Sequence, residues 1–472
     1  MAEAPERLDR SAVVALVAMA VAVFVIANDV TALSVALPEI ERDFDADVST
    51  VQWVISAYAL IFGVLIVTGG RLADLLGRRR IFFVGAAIFA AFSLLGGLAT
   101  DDWWLIAARG LMGIGGALMW PAILGMTYSI LPESRAALAG GLIIGAAGFG
   151  NAAGPLIGGF LTDAFDWRWI LFLNVPVAAF ACLVTWRAVP ESRGEETERR
   201  FDYAGVATLS VGLIALLIAL DELAGPGGLD ATIVALVAFS GAMLIAFALN
   251  ERRAGSWALV PRDVVANRAF TSACLAVLLM SATFFVSLMY LPQLMQKILG
   301  YTPVEAGLGL LPMMGVFALV SFTAGPLYER LGPRPVLAAG AACLVVGSSL
   351  ISILGDGDSW AQLVPGMAFL GVGVGLFYSS ITTAAVTALD PSRSSLAGGI
   401  LYMFQIAGGS IGLGLATTVF SVTSGGFDAP TFHEFLTGFK WSFRFVAVLA
   451  VAGFLVTVLY AGRSSSESRV SE

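Results

Sequence analysis

Gly70-Arg71-Leu72-Ala73-Asp74-Leu75-Leu76-Gly77-Arg78-Arg79-Arg80 interrupts an otherwise apolar stretch, with hydrophobic runs of membrane-spanning length on both sides. Four arginines and a carboxylate in so short a segment are expensive to place near a bilayer. The segment therefore reads as a tight loop between two helices, fixed on the cytoplasmic side. Gly70 and Gly77 are expected to permit the turn. Asp74 with Arg71, Arg78 and Arg79 is expected to hold one conformation through arginine–carboxylate and helix-end contacts, which makes the loop a candidate gate. The topology of the whole chain follows from this loop.

The 472-residue chain is 58% hydrophobic and 13% charged, with a mean hydropathy of +0.88. A water-soluble domain of this composition would expose far too much apolar surface. Apolar runs of about 20 residues recur, and in lipid they must be helices, because each backbone polar group needs a partner within the segment. The expected fold class is an all-α polytopic membrane protein with fourteen spans, among them 12–37, 48–69, 203–222 and 304–325. With the N-terminus inside, twenty basic residues fall on the cytoplasmic side, five lie outside or at outer helix ends, and only Arg109 sits within a span. That is a strong positive-inside bias, and it places both termini in the cytoplasm. The first apolar run continues past any cleavage site and reads as an uncleaved first helix. Cys182, Cys274 and Cys343 lie in apolar runs and read as small core residues. The preference for arginine, 24 against 2 lysines, and the alanine richness point to a high-GC bacterium, and the expected location is the bacterial cytoplasmic (inner) membrane.

The chain repeats itself. Leu131-Pro132-Glu133-Ser134-Arg135-Ala136-Ala137-Leu138-Ala139-Gly140-Gly141 returns as Leu389-Asp390-Pro391-Ser392-Arg393-Ser394-Ser395-Leu396-Ala397-Gly398-Gly399, and Gly113-Ile114-Gly115 returns as Gly371-Val372-Gly373 in the same register. The opening segment recurs more weakly as Gly325-Pro326-Leu327-Tyr328-Glu329-Arg330-Leu331-Gly332-Pro333-Arg334. Spans 1–6 and 9–14 are thus parallel copies, two bundles with a site between them. The expected organisation is an N-terminal six-helix bundle over 1–190, inserted spans 7 and 8 with their linkers over 191–265, and a C-terminal six-helix bundle over 266–472. The linkers 190–202 and 251–269 read as simple joining segments.

These residues carry a resemblance. The chain is similar to the major facilitator superfamily, and within it to the fourteen-helix drug:proton antiporters. Gly70 to Arg80 resembles the superfamily's loop between helices 2 and 3. Leu105 to Ala117 resembles its helix 4 motif, with Arg109 as the motif arginine and Met112 where members often have glutamine. Gly150-Asn151-Ala152-Ala153-Gly154-Pro155-Leu156-Ile157-Gly158-Gly159 resembles the helix 5 antiporter motif. Asp29-Val30-Thr31 followed by Val35-Ala36-Leu37-Pro38 resembles the fourteen-helix group's helix 1 motif. Trp167-Arg168-Trp169 through Asn174-Val175-Pro176 completes the set. The resemblance implies a major facilitator fold of two six-helix bundles plus two inserted helices.

Asp29 is the candidate proton-coupling acid. It lies about 13 Å along the helix from the outer end of span 1, where an ionised carboxylate costs about 2.5–3.5 kcal/mol to insert. The plainer reading is a solvated residue at a cavity mouth, or a packing partner of Thr31 or Asn28. Arg109 lies about 9 Å into span 4, at similar depth. It stays charged, so its role is to tune a nearby carboxylate; the plainer reading is snorkelling to the interface. Met367 replaces it in the second copy. Gly150, Gly154 and Gly158 recur every four residues, and with Pro155 and Gly159 they read as a close-packing face or a flexing point.

By resemblance, spans 1, 4, 9 and 12 line the central cavity. Candidate substrate-cavity residues are Asn28, Trp120, Phe284, Tyr290, Gln293 and Tyr378, with Tyr58, Asn151, Tyr402 and Gln405 from neighbouring spans. Asp29 is the one deep acid, so neutral, monocationic or zwitterionic amphiphiles are expected, not dications. No phosphate-binding Gly-x-x-x-x-Gly-Lys loop is present, and the single histidine, His433, lies in an outer loop. ATP hydrolysis and intramembrane hydrolysis are therefore excluded, and no cofactor, metal or nucleic acid is expected. The expectation is a proton-coupled exporter of amphipathic small molecules working as a monomer, with protons and membrane lipids as its other partners. A dedicated exporter of one metabolite or lipid, and a non-transporting lipid-binding sensor, remain open at this point.

Overall fold

A computed structural model describes residues 10–461 except 47, 133–134, 194–201, 225–229, 356–358 and 425–430. Both chain termini, Glu133-Ser134 of the repeat and most of the first linker lie outside the described residues. The helices are α1 (Arg10–Phe44), α2 (Val48–Leu76), α3 (Arg78–Gly97), α4 (Asp102–Ile130), α5 (Ala136–Ala164), α6 (Arg168–Ala188), α7 (Tyr203–Ala224), α8 (Ala231–Ala254), α9 (Arg262–Ala266), α10 (Arg268–Lys297), α11 (Pro303–Gly309), α12 (Leu311–Leu331), α13 (Pro333–Ser352), α14 (Trp360–Thr387), α15 (Ser394–Ser424) and α16 (Phe432–Ala461). No β-strand occurs among the described residues. Thirteen of these helices are long and apolar enough to cross a membrane, and α7 carries a shorter described apolar stretch, Tyr203–Ala219. This is a multi-pass membrane protein.

The repeat is visible in the packing. In the first copy α1 packs on α5 and α6, α4 on α2 and α3, and α3 on α6. In the second, α10 packs on α15 and α16, α14 on α12 and α13, and α13 on α16. The two bundles meet along two equivalent seams, α2 against α15 and α12 against α5. Helix α7 covers the first seam, touching both α2 and α15, and α8 packs behind it. Only 11% of the most apolar stretch of α8 is buried, so α8 is the outermost helix.

Three expectations need correction. The Gly70–Arg80 segment is not a loop: α2 continues to Leu76, α3 starts at Arg78, and Gly77 alone breaks the helix, with φ 115°. Nothing between Gly70 and Leu76 disfavours helix strongly enough to end it. Gly70 does not turn the chain. It lets α2 approach α15, because a Cβ there would sit 2.6 Å from the Ser395 carbonyl oxygen. The counterpart Gly325 faces Ala137 in the same way, with 2.7 Å to its carbonyl oxygen.

Span 304–325 is two helices. The seven-residue α11 carries a Thr302–Glu305 capping box, and α12 restarts at Leu311 with a proline in its first turn and runs on to Leu331. The second linker is not a simple joining segment either. It forms α9, and Asn267 caps α10 while donating to the Ala388 carbonyl at 2.7 Å.

Candidate functional site

Asp29 and Arg109 meet in the first bundle, and both are fully buried. Arg109 Nη1 donates to Asp29 Oδ2 at 2.5 Å. Its Nε donates to the Val54 carbonyl of α2 at 2.9 Å, and the guanidinium lies 4.6 Å from the centre of the Tyr58 ring. The sulfur of Met112 is 3.3 Å from Nη1. On the other side of the carboxylate, Asn174 Nδ2 of α6 donates to Asp29 Oδ1 at 2.7 Å and lies 3.1 Å from Ser93 Oγ of α3. Ser93 in turn donates to the Leu171 carbonyl at 2.8 Å. Neither snorkelling nor a solvated cavity mouth describes this pair. Thr31 is not the partner of Asp29; its hydroxyl reaches the Asn28 carbonyl at 3.3 Å.

The glycine stripe explains why α1 presents Asp29 inward. An added Cβ would come within 2.7 Å of Phe24 O at Gly150, 1.9 Å of Thr31 Oγ1 at Gly154 and 2.2 Å of Ala32 O at Gly158. Helix α5 therefore lies directly on α1 from Phe24 to Ala32, leaving the face with Asp29 to α4 and α6. Gly159 meets nothing within 4 Å and is outside the stripe. Pro155 faces α11, where a Cβ on Gly307 would be 3.1 Å from its ring.

A second ionic cluster ties the two bundles together at the end bearing Arg71 and Arg78–Arg80, here called the basic end. Asp74 Oδ1 accepts from Arg78 Nε at 3.0 Å, and Asp74 Oδ2 accepts from the Leu396 N–H in the first turn of α15 at 2.8 Å. That N–H belongs to an unsatisfied helix start, where a carboxylate is favoured. Arg78 also donates to the Gly125 carbonyl at 3.2 Å and to those of Pro391 and Ser392 at 2.9 and 3.1 Å. Arg71, one turn before Asp74 on α2, is buried too. Arg79 acts within its own bundle, donating to the Val189 carbonyl at 2.9 Å. At the second seam the counterpart of Asp74, Glu329, is exposed instead of buried. From the linker, Asp263 accepts a hydrogen bond from Arg393, the residue after the two carbonyls that Arg78 grips.

The proposed cavity residues fall into separate groups. Trp120 and Tyr402 pack with tilted rings 4.6 Å apart across the two bundles, with Phe62 5.7 Å from Tyr402 and 5.8 Å from Tyr58. Tyr58 Oη, Trp120 Nε1 and Asn28 Oδ1 are buried without a hydrogen-bond partner among the described residues. Phe284 and Tyr378 form a second group, 6.3 Å apart, and Tyr378 lies 3.3 Å from the Ser281 hydroxyl. Tyr290 stands apart, bonded to Thr417 at 3.1 Å and packed on Phe420. Asn151, Gln293 and Gln405 are half-buried.

The Major Facilitator Superfamily model matches residues 19–322 and 273–472. The chain belongs to the major facilitator superfamily. As a superfamily member it is a transporter and not an enzyme. It is 34% identical over 465 residues to the puromycin resistance protein of Streptomyces alboniger, covering 96% of this chain and 92% of that one. It is 32% identical over 416 residues to the multidrug resistance protein Stp of Mycobacterium tuberculosis, covering 87% and 76%. With the cephamycin export protein of Amycolatopsis lactamdurans it shares 31% over 445 residues, covering 93% and 92%. Among solved structures, the human organic anion transporter MFSD10 superposes with a TM-score of 0.68 at 13% identity over 94% of this chain and 99% of that one. The proton:xylose symporter XylE gives 0.66 at 14% identity over 95% of each. Both share the fold.

Sequence reasoning missed several residues of this transporter's buried network. Asn174 stood in the sequence only as part of a motif, and its one legible signal was an amide inside an apolar run. Ser93 and the Val54 carbonyl gave none, since what each meets depends on how its helix is rotated.

Proposed function

We propose that this protein exports amphipathic small molecules in exchange for protons by alternating access. The observation that carries the reading is the fully buried Asp29, held between Arg109 and Asn174. Proton arrival at Asp29 cancels the ion pair and frees Arg109 from its counter-ion, an event with consequences for every helix the arginine holds. Proton loss restores the pair. The Asp74–Arg78 cluster latches the basic end, which the arginine bias assigns to the cytoplasm along with both termini. The described conformation is then closed to the cytoplasm. Residues 1–190 and 266–472 form the two rocking bundles, and 191–265 the inserted pair. A single chain supplies every part, so a monomer is sufficient, in a bacterial inner membrane.

Arg109 neutralises the one deep acid, so the site is best matched to neutral, monocationic or zwitterionic amphiphiles. Relatives named for puromycin and cephamycin favour a second reading, a narrow exporter of one antibiotic-like metabolite; relatives named for multidrug resistance favour breadth. Everted vesicles given a pH gradient test the reading. Puromycin or other amphiphiles should accumulate with the full chain and fail to do so with Asp29→Asn. Gradient-independent accumulation would remove proton coupling.

A further inference from the structure

Beneath α7, where it covers the seam between α2 and α15, lies a cleft of ≈ 160 Å³. Trp53, Ser56 and Leu60 of α2, Leu217 of α7, Phe285 of α10 and Ser410 of α15 line it, and no charged residue does. Three of these side chains carry a hydrogen-bond donor: the Trp53 indole and the Ser56 and Ser410 hydroxyls. None of the three has a partner among the described residues. Some helical serines bond to a carbonyl one turn back, as Ser281, Ser287, Ser321 and Ser348 do, and others, such as Ser210, Ser379 and Ser380, do not. What sets Ser56 and Ser410 apart is that they share one cleft with the Trp53 indole. Donors left unbonded on an apolar wall inside a membrane call for acceptors from elsewhere.

We propose that this cleft is a binding site for an uncharged apolar moiety bearing a carbonyl acceptor, the ketone or ester C=O of a membrane-dissolved amphiphile. Its volume is below the range of about 300–1,000 Å³ that holds whole drug-sized ligands, so it takes one part of a larger molecule. Helix α2 places it beside the ionic site. Trp53, Ser56 and Leu60 follow a spacing of three and four residues on one face, while Val54 and Tyr58, the partners of Arg109, occupy the other. The proposal deepens the exporter reading by giving the inserted helix a share in ligand binding.

Benzophenone, an uncharged molecule with one ketone oxygen, is the probe. Irradiated with the purified full chain in lipid nanodiscs, it inserts into neighbouring C–H bonds, and mass spectrometry maps the adducts. Enrichment around Leu217 and Ile406–Leu413 over the outermost helix α8 is expected. Ser56→Ala with Ser410→Ala should lower that enrichment by about thirtyfold, the effect of losing two ordinary hydrogen bonds. Leu217→Trp, which fills the cleft, should abolish it. Labelling spread evenly over lipid-facing helices, or unchanged in the serine variant, overturns the proposal. Repeating the labelling in ether lipids separates the sources. Stronger cleft labelling there identifies lipid ester groups as the resident occupant, and equal labelling leaves the site to transported amphiphiles. The mapping needs no transport, so lost export in Asp29→Asn with intact cleft labelling keeps the two readings apart.

Discussion

Arg109 of α4 and Asp29 of α1, 80 positions apart, form a fully buried ion pair at 2.5 Å, and Asn174 of α6 takes the other carboxylate oxygen. Breaking a buried pair by removing one partner leaves an uncompensated charge and costs about 3–5 kcal/mol, whereas removing both charges is often neutral or better. Asp29→Asn and Arg109→Met are each expected to lower thermal stability in detergent. The double variant should recover most of the loss, since the second copy already has Met367 at the arginine position. Additive losses in the thermal-shift measurement would mean that the two residues do not depend on each other.

Asn174→Ala removes a hydrogen bond to a charged group, a loss of about 1.5–3 kcal/mol. The loss should appear as a lower melting temperature in detergent, and it should shrink in an Asp29→Asn background, where the accepting group carries no charge. An equal loss in both backgrounds would show that Asn174 only packs.

Gly70 and Gly77 should fail in different ways. A Cβ on Gly70 meets the Ser395 carbonyl oxygen at 2.6 Å, so Gly70→Ala should hold the basic end open while α2 stays helical. Gly77 has φ 115° and ψ 126°, a backbone region that residues with a side chain rarely adopt, and alanine there is strained by about 1–3 kcal/mol, so Gly77→Ala should reduce stability. The reporter is a cysteine at Ser392, labelled with a maleimide in a background lacking Cys182, Cys274 and Cys343. Labelling should rise several-fold in Gly70→Ala. Equal labelling in the two variants would contradict the assignment.

Much of this was legible in the sequence. Hydropathy gave the helices, repeated motifs gave the two copies, and depth along the helix axis placed Asp29 and Arg109 at one level. The identity of the partners was harder to read. Asn174 reaches the carboxylate, and Ser93 reaches Asn174, because α6 and α3 turn particular faces inward, and spacing along one helix does not fix its rotation against another. Gly70 was misread for a related reason: glycine serves turns and close helix approach alike, and only the position of Ser395 across the seam decides between them.

The second linker bears on the latch. Asp263 bonds Arg393, beside the Pro391 and Ser392 carbonyls that Arg78 holds. Asp263→Arg and Arg393→Asp should each raise labelling of the Ser392 cysteine, and the combined swap should restore low labelling. A swap no better than either single change would reduce the pair to a surface contact of at most about 1 kcal/mol.

Proton release on ligand binding tests the central claim most directly. Puromycin and other neutral or monocationic amphiphiles would be added to the purified protein in weakly buffered detergent, with binding followed in parallel. The account predicts release from the wild-type chain and none from Asp29→Asn. Binding without proton release in the wild type, or equal release from Asp29→Asn, would contradict it.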